Sequence, residues 1–484
     1  MIDSLYPSKP VDRASPLGVW IRRAAALLAI LTLGVALGFQ YIEPNIRVVA
    51  VAAAVLVIGV AWRLDMVSAM GVLILALPFP RGTVFGSTNL ALILVLGILY
   101  LLRTSQRIVP PPRSSPAFAP VALFFLACVM SFYNVASANN LYFALQNFQL
   151  LVGTLVMFWL VYQNVNNARD LERIIRFQVL SVVAISLVGV WELQNPGGTL
   201  VPGWITFSGT AGSDRTENAR AGSMFYDYEL LSDFCGLSLL TLAFLALRSR
   251  NTYERVWFAA IIVLVLFTLF STATRGALIA LLIAGAYLTF LVRRHVRIVP
   301  FTITVSVLLA AFIGMNMYVA TFTTAGNVFE RMEHSEFVGW MPDSRAGTWT
   351  DAWGRWQAFP LLGHGLYYSA ERGGQKLWYW PHNLYLYILN VVGLFGFAAW
   401  MWLMVRFAKM TRPLVDRLDH PDFAKAYLII CQTQLVFFMV DQFKIEFWRN
   451  PNYQFQIWLM FAIWAAAHRV AHSRPVSTLA PAGH

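Results

Sequence analysis

Apolar runs long enough to cross a bilayer recur along the whole chain, and that recurrence limits the fold more than any single residue does. Such windows lie near 24–40, 46–62, 66–79, 87–102, 117–135, 143–163, 174–194, 225–247, 256–271, 275–293, 298–320, 382–405, 425–441 and 453–468. A spanning helix needs about 20 apolar residues, because the hydrocarbon core is about 30 Å thick. Fourteen spans would use roughly 280 residues of the 484 present. Charged residues make up 12% of the chain, against about 25% in an ordinary soluble domain, which excludes a water-soluble globule. Backbone polar groups find no water inside a bilayer and must pair within the segment. The expected fold class is therefore an all-α polytopic membrane protein. The 66–79 run is short and 256–293 is nearly continuous, so the expected number of transmembrane helices is twelve to fourteen.

Orientation follows from Lys and Arg in alternate loops. With the N terminus inside, the inner segments hold 24 of the 36 basic residues and 9 of the 24 acidic ones. Both termini are then cytoplasmic. The formal charge of +12 is read as a topogenic signal facing anionic lipid, and no basic stripe with interleaved aromatics suggests a nucleic-acid partner. Met1 to Pro16 is polar and contains prolines, and the first apolar run follows Arg22 and Arg23 without a small-residue cleavage pattern. That run is expected to remain a span. Cys128, Cys235 and Cys431 all lie inside apolar runs and read as small core residues, with neither a disulfide framework nor a thiolate metal site implied. The chain divides into a cytoplasmic segment 1–23, N-terminal helices 24–194, helices with outer arginine motifs 195–320, a large outer loop 321–381, C-terminal helices 382–468 and a cytoplasmic tail 469–484.

Soluble-enzyme signatures are missing: there is no Walker loop, dinucleotide fingerprint, zinc-protease helix or nucleophile elbow. Chemistry is sought in the outer segments. Residues 195–224 carry Asp214, Arg215, Glu217 and Arg220, and lead into a span that opens with Asp227 and Glu229 and also holds Asp233. Carboxylates at a membrane boundary are costly unless paired or wetted, so they either pair with nearby arginines or serve a site. Arg275, in Ser271-Thr-Ala-Thr-Arg-Gly-Ala277, has no acidic residue within twenty positions. It is either a snorkelling anchor or part of an anion pocket at a helix start. Asp343-Ser344-Arg345 precedes Trp349, Trp353 and Trp356, which fall on one face of a helix predicted to begin in a Thr348–Asp351 capping box and to end before Pro360. That helix either lies on the outer headgroups or forms a lid over a lipid-linked substrate. Gly363-His364-Gly365 follows it. His382-Asn383 stands where the loop re-enters the membrane, and a histidine there is either a hydrogen-bonded structural residue or a general base fixed by a rigid span. No cluster has metal-ligand spacing, and no cofactor is expected.

Taken in order, Arg220-Ala-Gly-x-x-Phe opening a span, Thr274-Arg-Gly-Ala between two spans, Ser344-Arg345 followed by the Trp stretch and Pro360-Leu-x-Gly-x-Gly-Leu, and His382-Asn383 followed by Gly393-Leu-Phe-Gly396 resemble the O-antigen ligase and O-antigen polymerase superfamily. The resemblance covers about residues 200–400; the N-terminal spans match in hydropathy alone. It implies a GT-C-like glycosyltransferase of the bacterial inner membrane, with 321–381 as its large periplasmic loop and the active site on the periplasmic side. The implied donor is an undecaprenyl diphosphate-linked glycan and the implied acceptor lipid A-core, among membrane lipids. A polymerase would instead pass the glycan to another lipid-linked repeat. The family's catalytic residues carry over to Arg275, Arg345 and His382, with Arg220, Arg215, Asn383 and Asp227 as substrate-binding candidates. The usual span number in the family is twelve. A lipid-linked oligosaccharide transporter is the reading from a different class, kept open by Glu192, Asp233 and Asp441 in or beside spans.

Overall fold

A computed structural model describes residues 63–78, 88–135, 137–195, 220–293, 312–323, 341–367, 380–412 and 422–473, with short pieces at 198–201, 205–206, 333, 337–338, 370–372 and 375–377. The runs expected at 24–40 and 46–62, and most of the run at 298–320, lie outside the described residues.

The described helices are α1 (Met66–Ala76), α2 (Thr88–Ser105), α3 (Phe118–Ser131), α4 (Ala138–Asn164), α5 (Ala168–Gln194), α6 (Tyr228–Arg248), α7 (Thr252–Ser271), α8 (Arg275–Val292), α9 (Phe312–Phe322), α10 (Asp343–Ala358), α11 (Leu384–Met410), α12 (Phe423–Asp441) and α13 (Pro451–His472). Seven of these, α4 to α8, α11 and α12, are long and apolar enough to cross a membrane. The protein is an all-α polytopic membrane protein. Three antiparallel hairpins of two- to three-residue strands, at Thr199–Thr206, Phe337–Pro342 and Ala370–Leu377, decorate the outer segments.

Helix α13 forms the axis of the bundle. It packs against α4, α5, α11 and α12 and is buried along nearly its whole length. Its sequence explains this: Trp458, Phe461 and Trp464 interlock with Trp400 and Phe407 of α11, while Ala465, Ala466 and Ala467 let neighbours approach. Gln434 on α12 accepts from the indole of Trp464 and donates to Leu237 and Thr241 of α6, which ties α6, α12 and α13 together inside the bundle. All three cysteines are free and buried.

The nearly continuous run 256–293 divides into the two helices its windows predict, parting at Thr272–Thr274, where Ala273 takes φ +48°. Two expectations need correction. The 66–79 run forms a helix of only 11 residues, about 16 Å long at 1.5 Å per residue, roughly half a hydrocarbon core. The Trp helix starts at Asp343, five residues before the expected cap. Thr348 lies inside it, its hydroxyl turned back onto the carbonyl of Arg345, because a Thr hydroxyl is equally served by the preceding turn. The helix does end before Pro360.

Helix α11 is interrupted. Gly393 takes φ +66° and ψ −170° in its middle, which would leave backbone groups on both sides unpaired in an apolar setting. The loop 360–365 fills the gap: His364 and Gly365 donate to the carbonyls of Asn390 and Val391, and Leu394 and Phe395 donate to Pro360 and Leu361. A Cβ on Gly393 would lie 2.3 Å from the Leu361 carbonyl, and one on Gly363 (φ +69°) 2.5 Å from Val391. The two glycine motifs are therefore two halves of one backbone interlock. Asn390 adds a bond to Ala352 of α10, which ties α10, and with it Arg345, to α11.

Candidate active site

Helix starts and loops from five parts of the chain meet at one end of the bundle. Asp227 caps α6 by accepting from the N–H groups of Glu229 and Leu230, and this turns Glu229 inward in the first turn. Glu192 of α5 holds the preceding loop through Gly222 and Ser223 N–H. Ala221 N–H donates to Ser271 at the end of α7, which draws the Arg220 loop to the turn that carries Arg275. Across α8's start, the stem of Lys444 covers Gly276, where a Cβ would sit 2.1 Å from Lys444 Cδ.

Glu229 is the centre of the group. Its Oε1 accepts from Arg345 Nη2 at 2.7 Å, and its Oε2 lies 2.9 Å from Arg449 Nη2 and 3.0 Å from His382 Nδ1. Arg345 also donates to the Lys444 carbonyl. Arg449 bonds Asp227 at 2.7 Å and places Nη1 2.9 Å from His382 Nδ1. Charge-assisted bonds of this length are the strong ones, and here they join residues 67 to 222 positions apart. Side-chain exposure separates the roles: Glu229 and Arg449 are 9% and 7% exposed, whereas His382 is 36% exposed. His382 alone of these three has a ring edge open to a large substrate, and its Nε2 makes no hydrogen bond among the described residues.

His382 also holds a left-handed backbone, φ +49°, as do Ser223, Tyr226 and Ala273 nearby. Such conformations cost about 1–3 kcal/mol each and persist only where the surroundings fix them. Here the fixing is explicit. Trp349 donates to the Pro381 carbonyl, Asn383 N–H donates to Glu446, and Leu384 N–H donates to the carbonyl of Gln442. Glu446 sits in the loop between α12 and α13, and burial pushes its carboxyl up to about 7, with the nearby Arg449 opposing that shift. Burial works against the charge of Arg449, yet Asp227, Glu229 and Glu446 together push its guanidinium above the ordinary range. Its Nη1 lies 3.5 Å from Glu446 Oε1, beyond ordinary hydrogen-bond length.

The structure brings Arg345, His382 and Asp227 into direct contact through Glu229 and Arg449. Arg275 stands close enough to Arg345 and Arg220 for the three positive charges to repel. Arg220 stacks on Tyr228, 4.5 Å from the ring centroid, so the carboxylates at the start of α6 are paired with arginines distant in sequence. Asn383 spends its carbonyl oxygen on capping α11 through Leu386 N–H. Arg215 lies outside the described residues. His364 bonds the carbonyl of Arg355 and serves the interlock. Among the described residues no group of three or more His, Cys, Asp or Glu could hold a metal ion.

Residues 260–401 match the family model described as O-antigen ligase. That match supports kinship with the O-antigen ligase and polymerase superfamily over this part of the chain. No curated protein matches it. The O-antigen ligase match contains Arg275, Arg345 and His382, the interlock and all of α8 and α10; the partners Asp227, Glu229 and Arg449 lie outside it. Sequence reading had placed Glu229 only as one costly carboxylate and had passed over Lys444, Glu446 and Arg449. A signal was present: four charges, Asp441, Lys444, Glu446 and Arg449, crowd nine residues between two apolar runs.

Proposed function

We propose that the protein transfers a glycan from undecaprenyl diphosphate to a sugar hydroxyl of lipid A-core at the periplasmic face of the bacterial inner membrane, with both termini cytoplasmic and 321–381 as the periplasmic loop. The observation that carries this is the convergence of Arg275, Arg345 and a partly exposed His382 at one end of the helical bundle, all three within the segment matched to O-antigen ligase. The donor already carries a good leaving group, so the reaction needs charge stabilisation on the departing diphosphate and removal of a proton from the acceptor. Arg275 supplies the first as a forked donor, and Arg345, held by Glu229 and the Lys444 carbonyl, adds positive charge beside it, so an incoming diphosphate relieves their mutual repulsion. Arg220 extends the same positive surface. His382 supplies the second through Nε2. Direct displacement inverts the anomeric centre. Because guanidinium groups provide the positive charge, the reaction is independent of divalent metal and proceeds in EDTA.

Glu192, Asp233 and Asp441 support this enzyme over a transporter. Glu192 holds the Arg220 loop. Asp233 accepts from Gln442 and Tyr453 just beneath the site, and Asp441 pairs with Lys444. The lipopolysaccharide of a deletion strain separates ligase from polymerase. Loss of a ligase leaves bare lipid A-core while lipid-linked polymer accumulates; core bearing a single repeat would assign the protein as a polymerase.

A further inference from the structure

Two neighbours claim the same ring nitrogen of His382 and make opposite demands on it. Glu229 Oε2, 3.0 Å from Nδ1, is an acceptor when ionised and needs the proton on Nδ1. Arg449 Nη1, 2.9 Å from the same atom, is always a donor and needs Nδ1 bare. A neutral imidazole offers one in-plane site at Nδ1, so the contacts are alternatives. The choice fixes the far side of the ring. With the proton on Nδ1, Nε2 has a lone pair for an incoming hydroxyl; with Nδ1 bare, Nε2 carries the proton and can only donate.

The surroundings are unequal. Arg449 has two carboxylates, Asp227 and Glu229, on Nη2, so its charge is balanced without the ring, and Glu446 stands 3.5 Å from Nη1, beyond hydrogen-bond length. Glu229 is held by the α6 start and by Arg345 with Oε2 aimed at Nδ1. A carboxylate there also stabilises the imidazolium that proton uptake creates, whereas a guanidinium opposes it. We propose that Glu229 is the positioning residue that keeps His382 in the Nδ1-protonated tautomer, with Arg449 as the competing donor. This rests on the reading of His382 as the base. In the step itself the acceptor O–H bond breaks and its proton passes to Nε2. The acceptor oxygen bonds sugar C1, and the bond from C1 to the diphosphate breaks with its electron pair on the leaving diphosphate. The proton then leaves Nε2 for that diphosphate or for water, and the Nδ1 proton stays on the ring beside Glu229 throughout.

The test has two arms, both on the full chain in lipid nanodiscs. With ¹⁵N-labelled histidine, the His382 signals are assigned by their loss in His382→Gln, and the wild-type ring is expected to carry its proton on Nδ1 with Nε2 bare. The reverse pattern overturns the proposal. This arm needs no turnover, so it reads the tautomer even if the reaction is another one. In the second arm a synthetic undecaprenyl diphosphate oligosaccharide is the donor and purified lipid A-core the acceptor. Glu229→Gln is expected to lower kcat by about 10²- to 10⁴-fold, with donor KM within about threefold of wild type. Glu229→Asp is expected to restore part of kcat. Unchanged kcat, or a loss confined to KM, overturns the proposal, whereas normal transfer by His382→Ala removes the underlying reading of the base.

Discussion

A buried charge and an exposed one make different predictions at the residue scale. Arg275 opens α8 beside Arg220 and Arg345, and in the proposed reaction its fork would hold two phosphate oxygens at once, which a point ammonium cannot. Arg275→Lys is expected to lose most transfer, about 10²-fold or more, with membrane insertion intact; unchanged donor affinity and turnover would make Arg275 a membrane anchor. Glu446 is the buried case. Its carboxyl is raised from an ordinary 4.5 to about 7, so the folded protein holds this proton more tightly than the unfolded chain. The stability linked to it is complete below the ordinary value and is lost as pH rises through about 7. Between about pH 5 and pH 8 the melting temperature of wild type should therefore fall relative to that of Glu446→Gln; parallel curves contradict the assignment. His382 and Arg275 drew notice in the sequence because each stands at a boundary between an apolar run and a loop, and Arg345 did so through the Ser344-Arg345 motif before the Trp stretch. Arg449 was not, since its meaning lies in partners 220 or more positions away.

At the scale of elements, spans were legible and their interruptions were not. Hydropathy sums over a window, so it located 382–405 as one span and could not register that Gly393 breaks it. The loop glycines and the helix glycine make sense only as a pair. Gly393→Ala places a Cβ against the Leu361 carbonyl at a φ of +66°, at a cost of at least about 2 kcal/mol. It is expected to lower the melting temperature in detergent and to weaken transfer in parallel, because α10 and Arg345 hang on the interlock. A variant that melts as wild type does would show that the loop is not structural. The start of α10 was misread for a related reason: Thr348 offers the same hydroxyl to a cap or to a preceding turn, and the sequence holds nothing that chooses between them.

For the whole molecule, the ends of the bundle have different chemistry. At one end Asn134 bonds the Gly363 carbonyl beside the interlock; at the other Arg176 pairs with Glu172 and Glu254. Tyr133 and Tyr253 are each more than 85% exposed, one at either end, and the three native cysteines are buried. In intact spheroplasts a membrane-impermeant maleimide is expected to label Tyr133→Cys and to reach Tyr253→Cys only after permeabilisation. The reverse would invert the orientation. The expected sidedness rests on charge bias in loops, which is additive along the chain, whereas the convergence of Glu229, Arg345, His382 and Arg449 is a property of three dimensions. That convergence is tested most directly by reconstitution. Purified protein in liposomes, given a defined undecaprenyl diphosphate glycan and lipid A-core in EDTA, is expected to yield core-linked glycan, and His382→Ala to yield about 10²- to 10⁴-fold less. Transfer by the variant at the wild-type rate, or movement of the lipid-linked glycan between leaflets with no core-linked product, would contradict the account.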